Sequence, residues 1–190
     1  PDSEAVVVAA TKWAGDHQPA ARILDLGTGT GWLLLACLAE LPQATGVGVD
    51  IKTEAVMLAT ANADRHGIGG RAQFYQGDFA TDLTELGQFD LILSNPPYIP
   101  SADIEALDVE VRHFDPLVAL DGGRDGLDCW RVLCSQMAIL LADGGATFVE
   151  IGTGQGKAFG LLGAANKLRV VGSFVDLSGH ERCLQFQKEI

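Results

Sequence analysis

The sequence predicts an α/β domain built on a doubly wound, mostly parallel sheet of seven strands whose last strand is reversed. Three observations lead there. Short apolar runs alternate with longer stretches of helical spacing, in a repeated β-α-β-α-β order. The first strand runs into a helix through the glycine-rich turn Gly27-Thr28-Gly29-Thr30-Gly31. Only Asp176-Leu177-Ser178-Gly179-His180-Glu181 separates the last two strands, which is too short for a parallel crossover.

Each element follows from its own pattern. Glu4 to Ala14 has apolar residues at helical spacing, and Gly15 to Pro19 is expected to break it. Arg22 to Leu26 is a short apolar strand. Trp32 to Leu41 reads as a helix ended by Pro42. Thr45 to Val49 is a second strand, closed by Asp50. Thr53 to His66 is a helix, with Thr53 as N-cap and Gly67 as its stop. Ala72 to Tyr75 is a third strand, followed by Gly77-Asp78-Phe79, and Phe89 to Ser94 is a fourth. Leu127 to Leu141 is a helix, Ala146 to Ile151 a strand, and Gly156 to Lys167 a helix. Two late strands, Arg169 to Val175 and Arg182 to Gln187, finish the chain. Pro96 to Gly126 is long for a loop, which points to function or to short helices.

Composition narrows the class. A chain of 190 residues that is 47% hydrophobic suits one globular domain. Its formal charge of −12 argues against a basic groove that tracks a phosphate backbone. Cys37, Cys129, Cys134 and Cys183 form no CxxC pair and lie in apolar segments, so buried reduced thiols are expected. His17, His66, His113 and His180 show no ligand spacing, so no metal site is expected. The apolar run Trp32 to Ala39 is too short to span a bilayer, and no signal peptide opens the chain. A cytoplasmic location is the default expectation. Trp13, Trp32 and Trp130 read as packing residues, and Asp103, Glu105, Asp108 and Glu110 as a solvated acidic loop.

Chemistry is expected at the carboxyl ends of the strands, where open α/β sheets bind ligands. Asn95-Pro96-Pro97-Tyr98 follows the fourth strand. Its two prolines fix two φ angles and remove two N–H donors. The corner offers an amide side chain, bare carbonyl oxygens and an aromatic face, which suit a planar amino group. The turn from Asp25 to Gly31, with Asp50 closing the next strand, suits a nucleotide with a ribose. A dinucleotide fingerprint would need glycine where Trp32 stands, and no lysine follows the turn as a P-loop requires. S-adenosylmethionine has no pyrophosphate and fits better. Asp78 and Phe79 suit an adenine pocket, although alone Asp78 reads equally as a turn residue and Phe79 equally as a core residue.

Taken together, Asp25 to Gly31, Asp50, Gly77-Asp78-Phe79 and Asn95-Pro96-Pro97-Tyr98 resemble the protein-(glutamine-N5) methyltransferases of the HemK type. Ile99-Pro100, Glu110-Val111-Arg112, Phe114-Asp115-Pro116, Ala119-Leu120, Gly122-Gly123, Gly126-Leu127, Glu150-Ile151-Gly152 and Gln155 extend the likeness over nearly the whole chain. Pro1-Asp2-Ser3-Glu4 resembles the linker before that family's catalytic domain, with Ser3 where Thr is usual. The family carries a helical domain upstream of that point, so residues 1–190 are expected to be one methyltransferase domain of the Rossmann-like type without it.

The resemblance implies S-adenosylmethionine as methyl donor and S-adenosylhomocysteine as product. It implies the glutamine of the Gly-Gly-Gln motif in peptide chain release factors as target, with no membrane, metal or direct nucleic-acid partner. Cofactor contacts are implied for Asp25, Gly27, Thr28, Gly29, Thr30, Gly31, Asp50, Ile51, Asp78, Phe79 and Asn95. Asn95, Pro96, Pro97 and Tyr98 would hold the substrate, and Asn95, Pro96 and Tyr98 would act in catalysis. Similar Asn-Pro-Pro-Tyr motifs serve adenine N6 and cytosine N4 methyltransferases. A nucleic-acid enzyme, a ribosomal-protein glutamine methyltransferase and a non-catalytic binder of the cofactor therefore stand as alternatives.

Overall fold

A computed structural model describes residues 3–107 and 117–189. Asp108, Glu110-Val111-Arg112, His113, Phe114-Asp115-Pro116 and Pro1-Asp2, singled out above, lie outside the described residues.

The seven strands are β1 (Arg22–Leu26), β2 (Thr45–Asp50), β3 (Ala72–Gln76), β4 (Phe89–Ser94), β5 (Leu141–Glu150), β6 (Leu168–Val175) and β7 (Glu181–Lys188). They form one sheet in the order β3-β2-β1-β4-β5-β7-β6. The pairs β1–β2, β1–β4, β2–β3 and β4–β5 are parallel. β7 is antiparallel to both β5 and β6, as the short connection before it requires. The strand order reverses direction at β1, between β2 and β4, so the topological switch point lies at the carboxyl ends of β1 and β4.

Helices cover both faces. α1 (Glu4–His17), α2 (Trp32–Glu40) and α3 (Thr53–Arg65) cover one face, and α5 (Asp128–Leu140) and α6 (Gly156–Ala165) the other. Alternation along the strands divides the core in two. Ile23, Leu91, Leu93 and Phe148 pack with Val6, Ala10, Trp13, Leu34 and Leu38. Leu24, Leu26, Ile92 and Val149 pack with Trp130, Leu133, Met137 and Phe159. Trp130 is fully buried; its ring stacks on Phe159 at 4.9 Å and its Nε1–H donates to the Phe159 carbonyl at 3.0 Å.

Several local expectations are corrected. Gly15 does not end α1, which continues to His17. Trp13 is buried in the core and stacks on His17, whose Nδ1–H donates to the Trp13 carbonyl at 2.8 Å. Those contacts outweigh the roughly 1 kcal/mol a helical glycine costs. Thr53 is the first residue of α3 and Lys52 its flanking residue, with no side-chain cap. β5 begins at Leu141, five residues before the expected start at Ala146, with a register irregularity opposite Phe89 and Leu91. Trp32 is not a core residue: it is 48% exposed and lines a groove with Leu35, Ala36, Asn62 and His66.

The stretch after Tyr98 does carry short helices, a 3₁₀ turn at Ser101–Ala106 and α4 (Leu117–Leu120). Cys37, Cys134 and Cys183 are free and buried, whereas Cys129 is only half-buried. Burial pushes the Cys37 and Cys134 thiols up to about 12, so they are inert as nucleophiles. Among the described residues, no helix is long and apolar enough to cross a membrane.

Candidate active site

Because β1, β2, β3 and β4 run parallel, their carboxyl ends share one edge. Register pairs Leu26 with Ser94 and with Val49, and Asp50 with Gln76. Asp25, Asp50, Asp78 and Asn95 therefore converge, as their strand-end positions predict.

The exit from β1 is a glycine turn. Gly27, Gly29 and Gly31 have φ of 76°, 54° and 81°, values that L side chains rarely adopt. The N–H groups of Gly27 and Thr28 both donate to the Val49 carbonyl, at 2.9 and 3.0 Å. Gly29 N–H donates to Asp50 Oδ2 at 2.8 Å, and Lys52 N–H to Asp50 Oδ1 at 2.9 Å. Asp50 thus staples the turn to the start of α3 and still has lone pairs to offer, since a carboxylate has about four. Close approach is needed beneath it: a Cβ on Gly48 would lie 2.5 Å from Phe74 and 2.8 Å from Thr28 Oγ1.

Asp25 is 1% exposed. Thr28 Oγ1–H donates to its Oδ2 at 2.7 Å, while Oδ1 has no hydrogen-bond partner. Burial pushes its carboxyl up to about 7, against the pull of the Thr28 hydroxyl and the nearby Leu34 N–H. A Cβ at Gly29 would meet nothing within 4 Å, whereas one at Gly31 would lie 3.1 Å from Ala59, so the turn is open at its middle glycine.

Around this turn lie the remaining predicted contacts. Thr30 is exposed, and its carbonyl accepts from Asn62 Nδ2 at 3.0 Å. Ile51 leaves an apolar side chain 49% exposed beyond the end of β2. Phe79 packs on the second core half, with its ring edge 3.9 Å from where a Gly27 Cβ would sit. Asp78 is half-buried, and its Oδ1 accepts the Ala80 N–H at 2.8 Å, so part of its capacity serves its own turn.

The exit from β4 has the opposite character. Ser94 is fully buried, and its hydroxyl donates to the Leu26 carbonyl at 2.7 Å, which locks the two strand ends together. Asn95 is exposed, Pro96 buried, and Pro97 and Tyr98 half-buried. Asn95 Nδ2 donates to Ser3 Oγ at 3.3 Å. Tyr98 Oη–H donates to Glu150 Oε1 at 3.1 Å, and its carbonyl accepts from Gln155 Nε2 at 2.8 Å. Ile99 pairs with the stretch after α4, accepting from Gly122 N–H at 2.8 Å.

Reading the residues alone gave Ser94, Glu150 and Gln155 no site role, and took Ser3 only as a linker variant. The available signal for Ser94 and Glu150 was a polar residue at the end of a buried apolar strand, where it needs a partner. Gln155 carries no comparable local signal.

Residues 17–121 match the family model described as a methyltransferase domain. The chain is 53% identical over 163 residues to a release factor glutamine methyltransferase of Rhodospirillum rubrum, covering 86% of this chain and 50% of the relative. It is 39% identical over 191 residues to one of Agrobacterium fabrum, covering 99% and 65%. The chain thus spans about half to two thirds of the length of these curated relatives. Among solved structures, a ribosomal protein L11 methylase from Lactobacillus delbrueckii subsp. bulgaricus superposes with a TM-score of 0.70 at 19% identity, over 97% of this chain and 77% of that one. TrmN from Thermus thermophilus does so with a TM-score of 0.65 at 19% identity, over 96% and 48%. Both show the shared fold. With a strand order that places Asp25, Asp50 and Asn95 on one edge, and a family match over more than half its length, the chain belongs to the methyltransferase domain family.

Proposed function

We propose that this chain is the catalytic domain of an S-adenosylmethionine-dependent enzyme that methylates N5 of the Gly-Gly-Gln glutamine in peptide chain release factors. The observation that carries the reading is the corner at the end of β4. An exposed amide, Asn95, stands beside two prolines at the end of a strand that Ser94 locks to the carboxyl end of β1. The relatives named as release factor glutamine methyltransferases support glutamine over a nucleobase. So does the charge of −12, which is unfavourable for nucleic acid.

The residues fit the methyl donor. Asp50 would accept from ribose hydroxyls, and Ile51 and Phe79 offer apolar surface to a purine. The open turn at Gly29, where a Cβ would meet nothing within 4 Å, leaves room for an amino-acid tail. Asp25, through the Thr28 hydroxyl it accepts, would hold the turn that receives that tail. Bound S-adenosylmethionine supplies a methyl group on a sulfonium centre.

The chain's own residues do the rest. A glutamine amide nitrogen is a weak nucleophile because its lone pair is delocalised. The Asn95 side-chain oxygen and the Pro96 carbonyl each accept one N–H of that amide, which holds the nitrogen still. Ser3, by accepting from Asn95 Nδ2, fixes which face of the Asn95 amide is the acceptor. The Tyr98 ring stacks on the substrate amide plane. Orientation of this kind contributes up to roughly 7–11 kcal/mol in ideal cases. Acceptor oxygens also stabilise positive charge as it develops on nitrogen. The N-methylated amide cation is acidic enough to lose its proton to water, so no dedicated base is needed. A translation factor as target places the enzyme in the cytoplasm.

Methyl transfer from radiolabelled S-adenosylmethionine to purified release factor, ribosomal proteins and DNA, run in parallel, tests the reading. Release factor should be labelled, and the label should vanish when its Gly-Gly-Gln glutamine is replaced by alanine. Labelling of DNA alone overturns it.

A further inference from the structure

We infer that Gln155 is a positioning residue for the reaction, acting through Tyr98; the role in turnover rests on the function proposed above. Gln155 stands just before α6, where the chain turns from β5. Its side chain bridges two backbones. Oε1 accepts the Gly152 N–H at 2.9 Å, and Nε2 donates to the Tyr98 carbonyl at 2.8 Å. The two partners lie far apart in sequence but close in space.

The slot that holds this amide is built from glycines. A Cβ on Gly126 would lie 2.3 Å from the Tyr98 carbonyl oxygen and 2.6 Å from Gln155 Nε2. A Cβ on Gly152 would lie 2.6 Å from Gln155 Oε1 and 3.1 Å from the Tyr98 ring. Gly126 also has φ of 76°, so its absence of a side chain is doubly required. No other residue type at either place leaves the amide its seat.

The effect is to hold Tyr98 at both ends, from the last residue of β5 and from the turn that follows it. Glu150, the last residue of β5, takes the phenol, and Gln155 takes the carbonyl. A corner with two prolines has few N–H groups of its own with which to anchor itself. The clasp replaces them. It fixes the backbone from which the Tyr98 ring projects, and through the same peptides the Pro96 carbonyl two residues earlier. Gln155 need not touch substrate or cofactor for this.

The chain has only two tyrosines, Tyr75 and Tyr98, so fluorine NMR of 3-fluorotyrosine-labelled protein reads the corner without any substrate. Tyr75→Phe assigns the Tyr98 signal. Gln155→Glu keeps the acceptor for Gly152 but sets a carboxylate oxygen against the Tyr98 carbonyl; Gln155→Ala removes both bonds. In each, the Tyr98 signal should shift and broaden while Tyr75 stays in place. Affinity for S-adenosylhomocysteine by calorimetry should be unchanged. Turnover on release factor should fall about 10- to 100-fold, with the loss mainly in kcat, as expected for a misplaced corner. Should Gln155→Ala fail to fold, Gln155→Glu makes the same test. An unmoved Tyr98 signal overturns the inference. So does a loss of turnover that merely follows loss of S-adenosylhomocysteine binding. If the wild-type protein does not methylate release factor, the proposed function fails, and the fluorine signals still decide whether Gln155 positions Tyr98.

Discussion

β1 and β4 lie side by side, run parallel and end level, with Leu26 opposite Ser94, yet their exits are built from opposite materials. The β1 exit has three glycines at positive φ. Its own N–H groups hold it, donating to the Val49 carbonyl and the Asp50 carboxylate at the end of the neighbouring β2. The β4 exit has two prolines and is held mainly by side chains from elsewhere, Glu150 and Gln155. One exit makes room for close approach to the main chain. The other removes N–H groups and leaves oxygens to accept. In the proposed function, the first receives a nucleoside and the second grips an amide. Damage at the β4 exit should therefore appear in turnover, and damage at the β1 exit in cofactor affinity or in stability.

The largest separation is expected from Asn95→Ala. It removes one of the two acceptors for the substrate amide, while Asp25, Asp50 and the glycine turn stay intact. Turnover should fall about 100- to 1,000-fold, the range seen when one preorganised polar group is lost from an active site. Affinity for S-adenosylhomocysteine should fall far less, by no more than the one contact Asn95 would make with the cofactor. Near-normal turnover in this variant would remove Asn95 from the chemistry.

Asp25 shows what the β1 exit costs in stability. Its folded carboxyl lies near 7, above the ordinary 3.8, chiefly because it is buried. The folded state therefore holds this proton more tightly than the unfolded state does. The resulting stability is fully present below about pH 4 and is lost as pH rises through 7. Asp25→Asn does not titrate. Its stability relative to wild type should rise between about pH 4 and pH 7 and then level off, by an amount on the order of a few kcal/mol. Asp121, Asp125 and Asp176, whose pKa values are lowered, favour the opposite trend, but both proteins carry them and they cancel in the difference. Urea unfolding of the pair at about pH 5, 6 and 8 checks this. A pH-independent difference would mean that Asp25 is already ionised in the fold.

A smaller effect belongs to Asp50→Ala. Hydrogen bonds to a charged group contribute about 1.5–3 kcal/mol, so affinity for S-adenosylhomocysteine should weaken about 10- to 100-fold. The variant also frees the N–H groups of Gly29 and Lys52. Unchanged affinity by calorimetry would take the ribose away from Asp50.

The two exits were not equally legible. The β1 exit could be read from the chain because its chemistry is local: glycines in a strand-to-helix turn, and an acid ending the next strand. The reversed β7 was legible for the same reason, since a short connection forbids a parallel crossover. At the β4 exit the motif was plain but its supports were not. Tyr98 meets Glu150 and Gln155 from 52 and 57 residues away, and no local pattern reports such partners. Local rules failed elsewhere where tertiary contacts overrode them. Packing and a histidine bond carried α1 through Gly15. Trp32, apolar by type, stands half-exposed beside a surface groove because α2 turns that position outward.

Tyr98→Phe isolates how much the borrowed supports of the β4 exit contribute. The ring remains, so its packing against the second core half is kept, and only the phenol hydroxyl is lost. The 3.1 Å bond to Glu150 Oε1 goes with it. A typical intramolecular hydrogen bond contributes about 0.5–1.5 kcal/mol, so urea unfolding should show a loss of about 1 kcal/mol. Gln155 still holds the Tyr98 carbonyl in this variant, so turnover should fall much less than in Asn95→Ala. A turnover loss as large as that of Asn95→Ala would mean that the phenol itself meets the substrate, and that the corner is held less by β5 than its geometry indicates. A loss confined to stability would place the phenol among the supports, with the ring face and the two acceptor oxygens left as the parts that touch the amide.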